Sequence, residues 1–270
     1  MQDLKIHANN IRKNIIRAVH AAGSGHPGGS LSATDILTYL YFKEMDINRD
    51  NVSRIDRDRF VLSKGHATPL LYSVFAEKGF IDEADLLTFR QVGSKLQGHP
   101  NMNYLDAVDM STGSLGQGIS AAVGMAIANK LDGNNHRIYA LLGDGECEEG
   151  QVWEAAMAAA HYQLDNLCAV VDFNGLQIDG DITKVIDPTP IDQKFAAFRW
   201  HVIEINGHDF DEIAAAFKEA KTIKNQPTLI LAHTIKGKGV SFMENQAGWH
   251  GNAPDDAQFE QAMKDLGGNE

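Results

Sequence analysis

The run RIYALLGDGECEEGQVWEAAMAAAHYQLDNLCAVVDFN, residues 137–174, sets two short apolar segments on either side of a helix-length stretch. Residues 137–142 (RIYALL) and 167–173 (LCAVVDF) have the length and aliphatic content of buried strands, and residues 149–162 those of a helix. Such a crossover makes its two strands parallel neighbours. Asp144 and Asn174, each just past a strand, then lie at the carboxyl edge of one sheet, where open α/β folds bind ligands. Gly145 lets a backbone come close, and the helix that follows turns its N-terminal N–H groups toward an anion.

A carboxylate and an amide oxygen are hard donors. They are too few to close an octahedral shell at about 2.1 Å, so Mg2+ between them keeps positions for water and for a ligand's phosphate oxygens. The pair therefore reads as a metal-bridged diphosphate site. The plainer alternative is a strand-end Asp capping the next helix and an Asn in a turn. These residues alone leave both open.

With 270 residues, 43% of them hydrophobic, the chain can bury a full core and is most simply one α/β domain over 1–270. A net charge of −12 leaves no broad basic face for nucleic acid or an anionic membrane, so an anionic ligand must be held by local devices. No stretch approaches the ~20 apolar residues of a membrane span. The N-terminus (MQDLKIHANNIRKN) lacks a signal peptide's apolar core, so a cytoplasmic setting is expected. Cys147 and Cys168 are too few for a disulfide framework.

Elsewhere, helical patterns cover 3–22, 30–42, 68–78, 210–222 and 255–266, with Asp209 as the expected cap of the fourth. Further strands are expected at 201–205 and 227–232. Alternation of helix and strand predicts a mostly parallel sheet with helices on both faces. Stretches 119–129 and 153–160 are rich in small residues, which suits either close internal packing or a subunit contact. The Lys236-Gly237-Lys238-Gly239 loop either meets phosphate or is solvated.

Six motifs occur in one order: Ser24-Gly25-His26-Pro27-Gly28-Gly29, Ser63-Lys64-Gly65-His66-Ala67, Gly98-His99-Pro100, Gly113-Ser114-Leu115-Gly116-Gln117-Gly118, the Gly143 to Asn174 unit, and His250-Gly251. In motif and in order, from about residue 10 to 252, the chain resembles the transketolase family. The resemblance implies the thiamine-diphosphate-binding fold and ketol transfer from a ketose phosphate to an aldose. It implies Asp144, Asn174 and the Leu176 backbone carbonyl as ligands of Mg2+ or Ca2+. It places His66 and His250 near the diphosphate and the reacting centre, and His26 and His99 at the donor's hydroxyl groups. Histidine suits these tasks because its neutral ring both donates and accepts hydrogen bonds.

Gly113, Ser114 and Leu115 resemble the family loop beside the cofactor, with Leu115 as an apolar contact; serine stands where the family usually has proline. Glu149 resembles a carboxylate that links active sites across the dimer, and is also a first-turn Glu favoured by the helix dipole. His208, in Asn206-Gly207-His208-Asp209, is assigned mainly to structure. His7, His20, His136, His161, His201 and His233 carry no motif and are expected at the surface or in packing.

The resemblance covers only the diphosphate-binding half of a full-length transketolase, so a separately encoded C-terminal subunit is expected to supply the pyrimidine-binding domain and its glutamate, in an α2β2 heterotetramer. Alternatives are a deoxyxylulose-phosphate synthase-like subunit, a 2-oxo acid dehydrogenase α-like subunit, and a noncatalytic regulator that binds thiamine diphosphate.

Overall fold

A computed structural model describes residues 1–268 of the chain. Its main sheet is built from β1 (Arg59–Leu62), β2 (Ile138–Gly143) and β3 (Leu167–Phe173). After a short antiparallel hairpin, β4 (Leu176–Gln177) and β5 (Gly180–Asp181), the sheet is completed by β6 (His201–Asn206) and β7 (Thr228–His233). The order is β1-β2-β3-β7-β6 and every pair is parallel.

Alternation along the central strands divides the interior. Tyr139 and Leu141 of β2, with Cys168 and Val170 of β3, enter one core; Ile138, Ala140 and Leu142, with Leu167, Ala169 and Val171, enter the other. Helices α1 (Gln2–Ala22), α2 (Pro27–Ser32), α3 (Thr34–Tyr39), α4 (Thr68–Lys78), α9 (Phe210–Ala220) and α10 (Asp256–Asp265) cover the first face. Helices α5 (Gln117–Leu131), α6 (Gly150–His161) and α8 (Ile191–Ala197) cover the second. A single turn, α7 (Ile182–Val185), follows β5. The expected α/β class, parallel sheet and two-sided helix cover are all present. Among the described residues no helix is long and apolar enough to cross a membrane.

One local expectation needs correction, and one strand was not foreseen. The helix expected over 30–42 is broken into α2, α3 and a π-helical turn, Leu40–Glu44. Ser30, Thr34 and Thr38 each bond back to the carbonyl four residues earlier, which loosens helical geometry where apolar spacing alone predicts continuity. The helix expected over 149–162 is present as α6, capped by Glu149 and Tyr162, and a 3₁₀ turn, Gly145–Glu148, separates it from Asp144. Edge strand β1 is missing from the sequence reading. Its four residues follow a charged run, and its pairing is secured by the buried Asp109, which accepts from Arg57 Nη2 and Nη1 (2.8 and 3.1 Å) and from the Phe60 N–H (2.9 Å).

Asp209 caps α9 as expected, accepting from the Asp211 and Glu212 N–H groups. The small residues of α5 and α6 are largely accounted for within the chain: Ala122 and Ala126 of α5 and Ala155, Ala156 and Ala159 of α6 are buried in the second core.

Candidate active site

The loops leaving β1, β2, β3 and β7 meet at the carboxyl edge of the sheet around a cavity of about 110 Å³. His66, Leu115, Asp144, Gly145, Asn174, Leu176 and His250, all singled out from sequence, line it together with Lys64, Glu146 and Lys236. His26 stands beside it in ring contact with His66 and His250. His99 is exposed, with its ring packed on Gly113: a Cβ there would stand 3.2 Å from Cδ2. Ser114 and Glu149 are exposed and lie outside the cavity wall.

Asp144 is 3% exposed. Its carboxylate accepts the Gly145 N–H at 2.8 Å and the Gly175 N–H at 2.6 Å, so the Asn174-Gly175-Leu176 turn is already folded against it. Burial, with the neighbouring Asp172 adding to it, pushes the Asp144 carboxyl up to about 6. The Asn174 amide nitrogen points at Asp172 Oδ2 (3.3 Å) and Ser32 Oγ (3.4 Å), which turns Oδ1 toward the Leu176 N–H at 3.1 Å. Among the described residues no three His, Cys, Asp or Glu side chains converge as a metal cluster. The Asp144 carboxylate, the Asn174 amide oxygen and the Leu176 carbonyl could hold a cation here; they are hard donors of the kind that suits Mg2+ or Ca2+, with phosphate and water completing the shell. Two N–H donors leave acceptor capacity on Asp144 for such an ion.

Beneath this edge lies a buried ion pair. Lys64 Nζ donates to Asp172 Oδ2 at 2.5 Å and to the Gly29 carbonyl at 2.7 Å, with both side chains at most 2% exposed. Ser32 and Thr234 hydroxyls complete the shell of Asp172. Burial alone would raise this carboxyl; the Lys64 ammonium and the hydrogen bonds from Lys64, Ser32 and Thr234 together offset it and hold Asp172 below the usual carboxylate range. Lys64→Met would leave Asp172 charged and buried without its partner. The expected loss is about 3–5 kcal/mol of unfolding free energy, read by urea denaturation, with partial recovery when Asp172→Asn is added.

The histidine rings form a triangle with centroid separations of 5.1 Å (His26–His66), 5.1 Å (His66–His250) and 5.5 Å (His26–His250). Gly28 makes room for the turn that carries His250, since a Cβ there would be 2.7 Å from the Trp249 carbonyl. Burial and then Arg90 lower His26 to about 4; burial and then Lys236 lower His250 to about 3. His66 is driven well below its ordinary value by burial and then Lys64. All three rings are therefore neutral near pH 7.

An unfolded histidine takes up its proton near pH 6.5, whereas these folded rings resist it. The unfolded state thus binds more protons below that pH, and stability is lost as pH falls from about 6.5 toward 4. The melting midpoint is expected to change gently between pH 8 and 7, where Lys236 titrates, and to drop between pH 6.5 and 5, the raised Asp144 carboxyl offsetting part of that loss. Replacing His26 and His250 with glutamine should flatten that drop.

One contributor, Glu146, escapes the sequence reading, and another, Lys236, is left open there between phosphate contact and solvent. Glu146, 2% exposed, accepts from Ser63 Oγ at 2.5 Å, the Gly116 N–H at 2.9 Å and the Gly143 N–H at 3.0 Å. It thereby ties the loops after β1 and β2 to the Gly113–Gly118 segment, and burial raises its carboxyl. Lys236 is 2% exposed and donates to the Leu176 carbonyl and to His250 Nδ1, both at 3.0 Å. Burial lowers its ammonium to about 8. The loop that carries it is therefore not a solvated one at this position. His208 serves structure: its Nδ1 faces Asp35 at 2.8 Å and its Nε2 accepts the Ile235 N–H at 2.9 Å, pinning the Lys236 loop.

Comparison with known proteins agrees with this geometry. Residues 4–270 match the family described as "Transketolase, thiamine diphosphate binding domain". A protein of a Clostridium species named as a 6-deoxy-6-sulfo-D-fructose transketolase subunit is 44% identical over 98% of this chain and 96% of its own length. A Phocaeicola vulgatus protein named as an apulose-4-phosphate transketolase subunit is 40% identical over 98% of this chain and 94% of its own. The crystal structure of transketolase from Campylobacter jejuni superposes with a TM-score of 0.94 at 37% identity, covering 100% of this chain but only 43% of that one. The cofactor-edge geometry, the six ordered motifs and these likenesses agree: the chain belongs to the transketolase family, where it corresponds to the thiamine-diphosphate-binding domain.

Proposed function

We propose that residues 1–270 form one diphosphate-binding domain that serves as the N-terminal subunit of a split transketolase, moving a two-carbon ketol unit from a ketose phosphate to an aldose phosphate. The observation that carries this is coverage. Two relatives matched almost end to end are named as transketolase subunits, whereas less than half of the Campylobacter jejuni chain is matched. A separate C-terminal subunit would contribute the pyrimidine-binding domain and its glutamate, in an α2β2 assembly. A cytoplasmic setting fits the two buried, unpaired cysteines.

Thiamine diphosphate, when bound, supplies the electron sink for breaking and making the carbon–carbon bond beside a ketose carbonyl. In this reading Asp144, Asn174 Oδ1 and the Leu176 carbonyl hold Mg2+ or Ca2+ against the diphosphate. Gly113 and Gly145 let backbone approach it, with Ser114 in the same loop as Gly113; Leu115 gives an apolar contact, and Lys236 supplies a cation. His66 and His250, neutral at pH 7, face the reacting centre, while His26 and His99 bind the donor's hydroxyl groups. Glu149, exposed at the start of α6, would link active sites across the assembly.

Relatives are named for a sulfonated and for a phosphorylated sugar, so the donor's acidic group is the variable to test. The mixed subunits, given thiamine diphosphate and Mg2+, are expected to consume a ketose phosphate or 6-sulfo ketose in the presence of an aldose phosphate. Consumption of pyruvate with no ketose turnover would replace this function with that of another thiamine-diphosphate enzyme.

A further inference from the structure

Arg90 meets His26 at Nδ1. Its Nη1 donates to Ser24 Oγ at 2.5 Å and its Nη2 lies 3.2 Å from His26 Nδ1. A guanidinium has donors only and keeps its charge, so His26 Nδ1 must be the acceptor and the single proton of the neutral ring sits on Nε2. Nε2 is on the other edge of the ring, where a Cβ at Gly251 would stand 3.7 Å from it. The same device recurs next door, with Lys236 Nζ 3.0 Å from His250 Nδ1.

The surroundings of Arg90 favour this contact at a local cost. Its backbone sits at φ +61°, which an ordinary side chain rarely adopts. Its Nε is buried with no protein partner, and a Cβ at Gly98 would stand 2.9 Å from that atom. A strained residue with an unsatisfied donor, both tolerated so that one fork reaches Ser24 and His26, is the pattern that accompanies function.

We propose that Arg90 is a positioning residue that fixes His26 as its Nε2–H tautomer, so that His26 presents a hydrogen-bond donor to a hydroxyl oxygen of the donor sugar. The substrate half of this statement rests on the transketolase function proposed above; the tautomer half does not. The groups that face the ring are Arg90, His99, Lys236, His66 and His250, cations or imidazoles that together with burial oppose a second proton. Loss of the guanidinium frees the imidazole to place its one proton on either nitrogen.

Histidine ¹⁵N NMR of the full chain, assigned with His26→Asn, reads the tautomer without cofactor or partner. Wild type and Arg90→Gln, which keeps an amide donor but no charge, are expected to show His26 as Nε2–H; Arg90→Met is expected to show a mixture. In the assembled enzyme, Arg90→Met should lower kcat/KM for the ketose about ten- to a hundredfold, and Arg90→Gln should restore most of it. The wild-type spectrum needs no variant, and an Nδ1–H ring there overturns the proposal. So does an unchanged His26 tautomer in Arg90→Met, or ketol transfer indifferent to that substitution. A wild-type pair that transfers nothing while His26 is held as Nε2–H would overturn the transketolase function instead and leave the Arg90–His26 pairing standing.

Discussion

Asp144→Ala is expected to abolish Mg2+-dependent binding of thiamine diphosphate. Asp144 contributes the only charged oxygen in the proposed donor set, from a position 3% exposed where water cannot substitute for it. Losing a charge-assisted contact worth about 3 kcal/mol weakens binding about a hundredfold or more. Calorimetric titration with and without Mg2+ separates this from a folding effect. The substitution also strands the Gly145 and Gly175 N–H groups, at about 1–3 kcal/mol each, so some loss of stability accompanies it. Asp144→Asn keeps an acceptor for one of those two N–H groups, which bond to different carboxylate oxygens, while removing the charge; it is expected to fold better than Asp144→Ala yet still lose the Mg2+ dependence. Binding that is unchanged with and without Mg2+ would remove Asp144 from the metal site.

Lys236→Met is expected to have the next largest effect, for a different reason. The ammonium donates to the Leu176 carbonyl and to His250 Nδ1, so one buried cation both steadies the β4 turn and sets the proton on a histidine of the site. Methionine fills similar space but leaves His250 without its donor and Asp144 and Asp172 with less opposing charge. Cofactor affinity is expected to fall about ten- to a hundredfold, equivalent to about 1.4–2.7 kcal/mol. Unfolding free energy should change by less than about 1.5 kcal/mol, because an apolar isostere replaces a desolvated charge. A larger loss of stability than of affinity would assign Lys236 to folding alone.

The cofactor edge was legible because its signals are local. Asp144 and Asn174 each end an apolar run, and parallel pairing of β2 with β3 follows from the crossover between them. The same holds for Asp209, whose capping role needs only its immediate neighbours. What stayed hidden depends on residues far apart in the chain. β1 is recognisable only once Asp109 takes the Arg57 charge, fifty-two residues away, and the Phe60 N–H. Glu146 sits in an acidic stretch, Glu146-Cys147-Glu148-Glu149, that reads as solvated; only Ser63 and Gly116, brought in by other loops, make it a buried acceptor. Lys236 lies among glycines, and nothing near it in sequence announces the Leu176 and His250 partners that bury it. Arg90 is hidden likewise, since its link to His26 spans sixty-four residues.

Ketol transfer from a ketose phosphate, with thiamine diphosphate and Mg2+, should be measured for this chain alone and after addition of the C-terminal subunit. Activity only in the mixture is the predicted result, with the missing glutamate supplied by the partner. Transfer at an ordinary enzymatic rate by the chain alone, or cofactor binding without transfer in the mixture, would contradict the split transketolase.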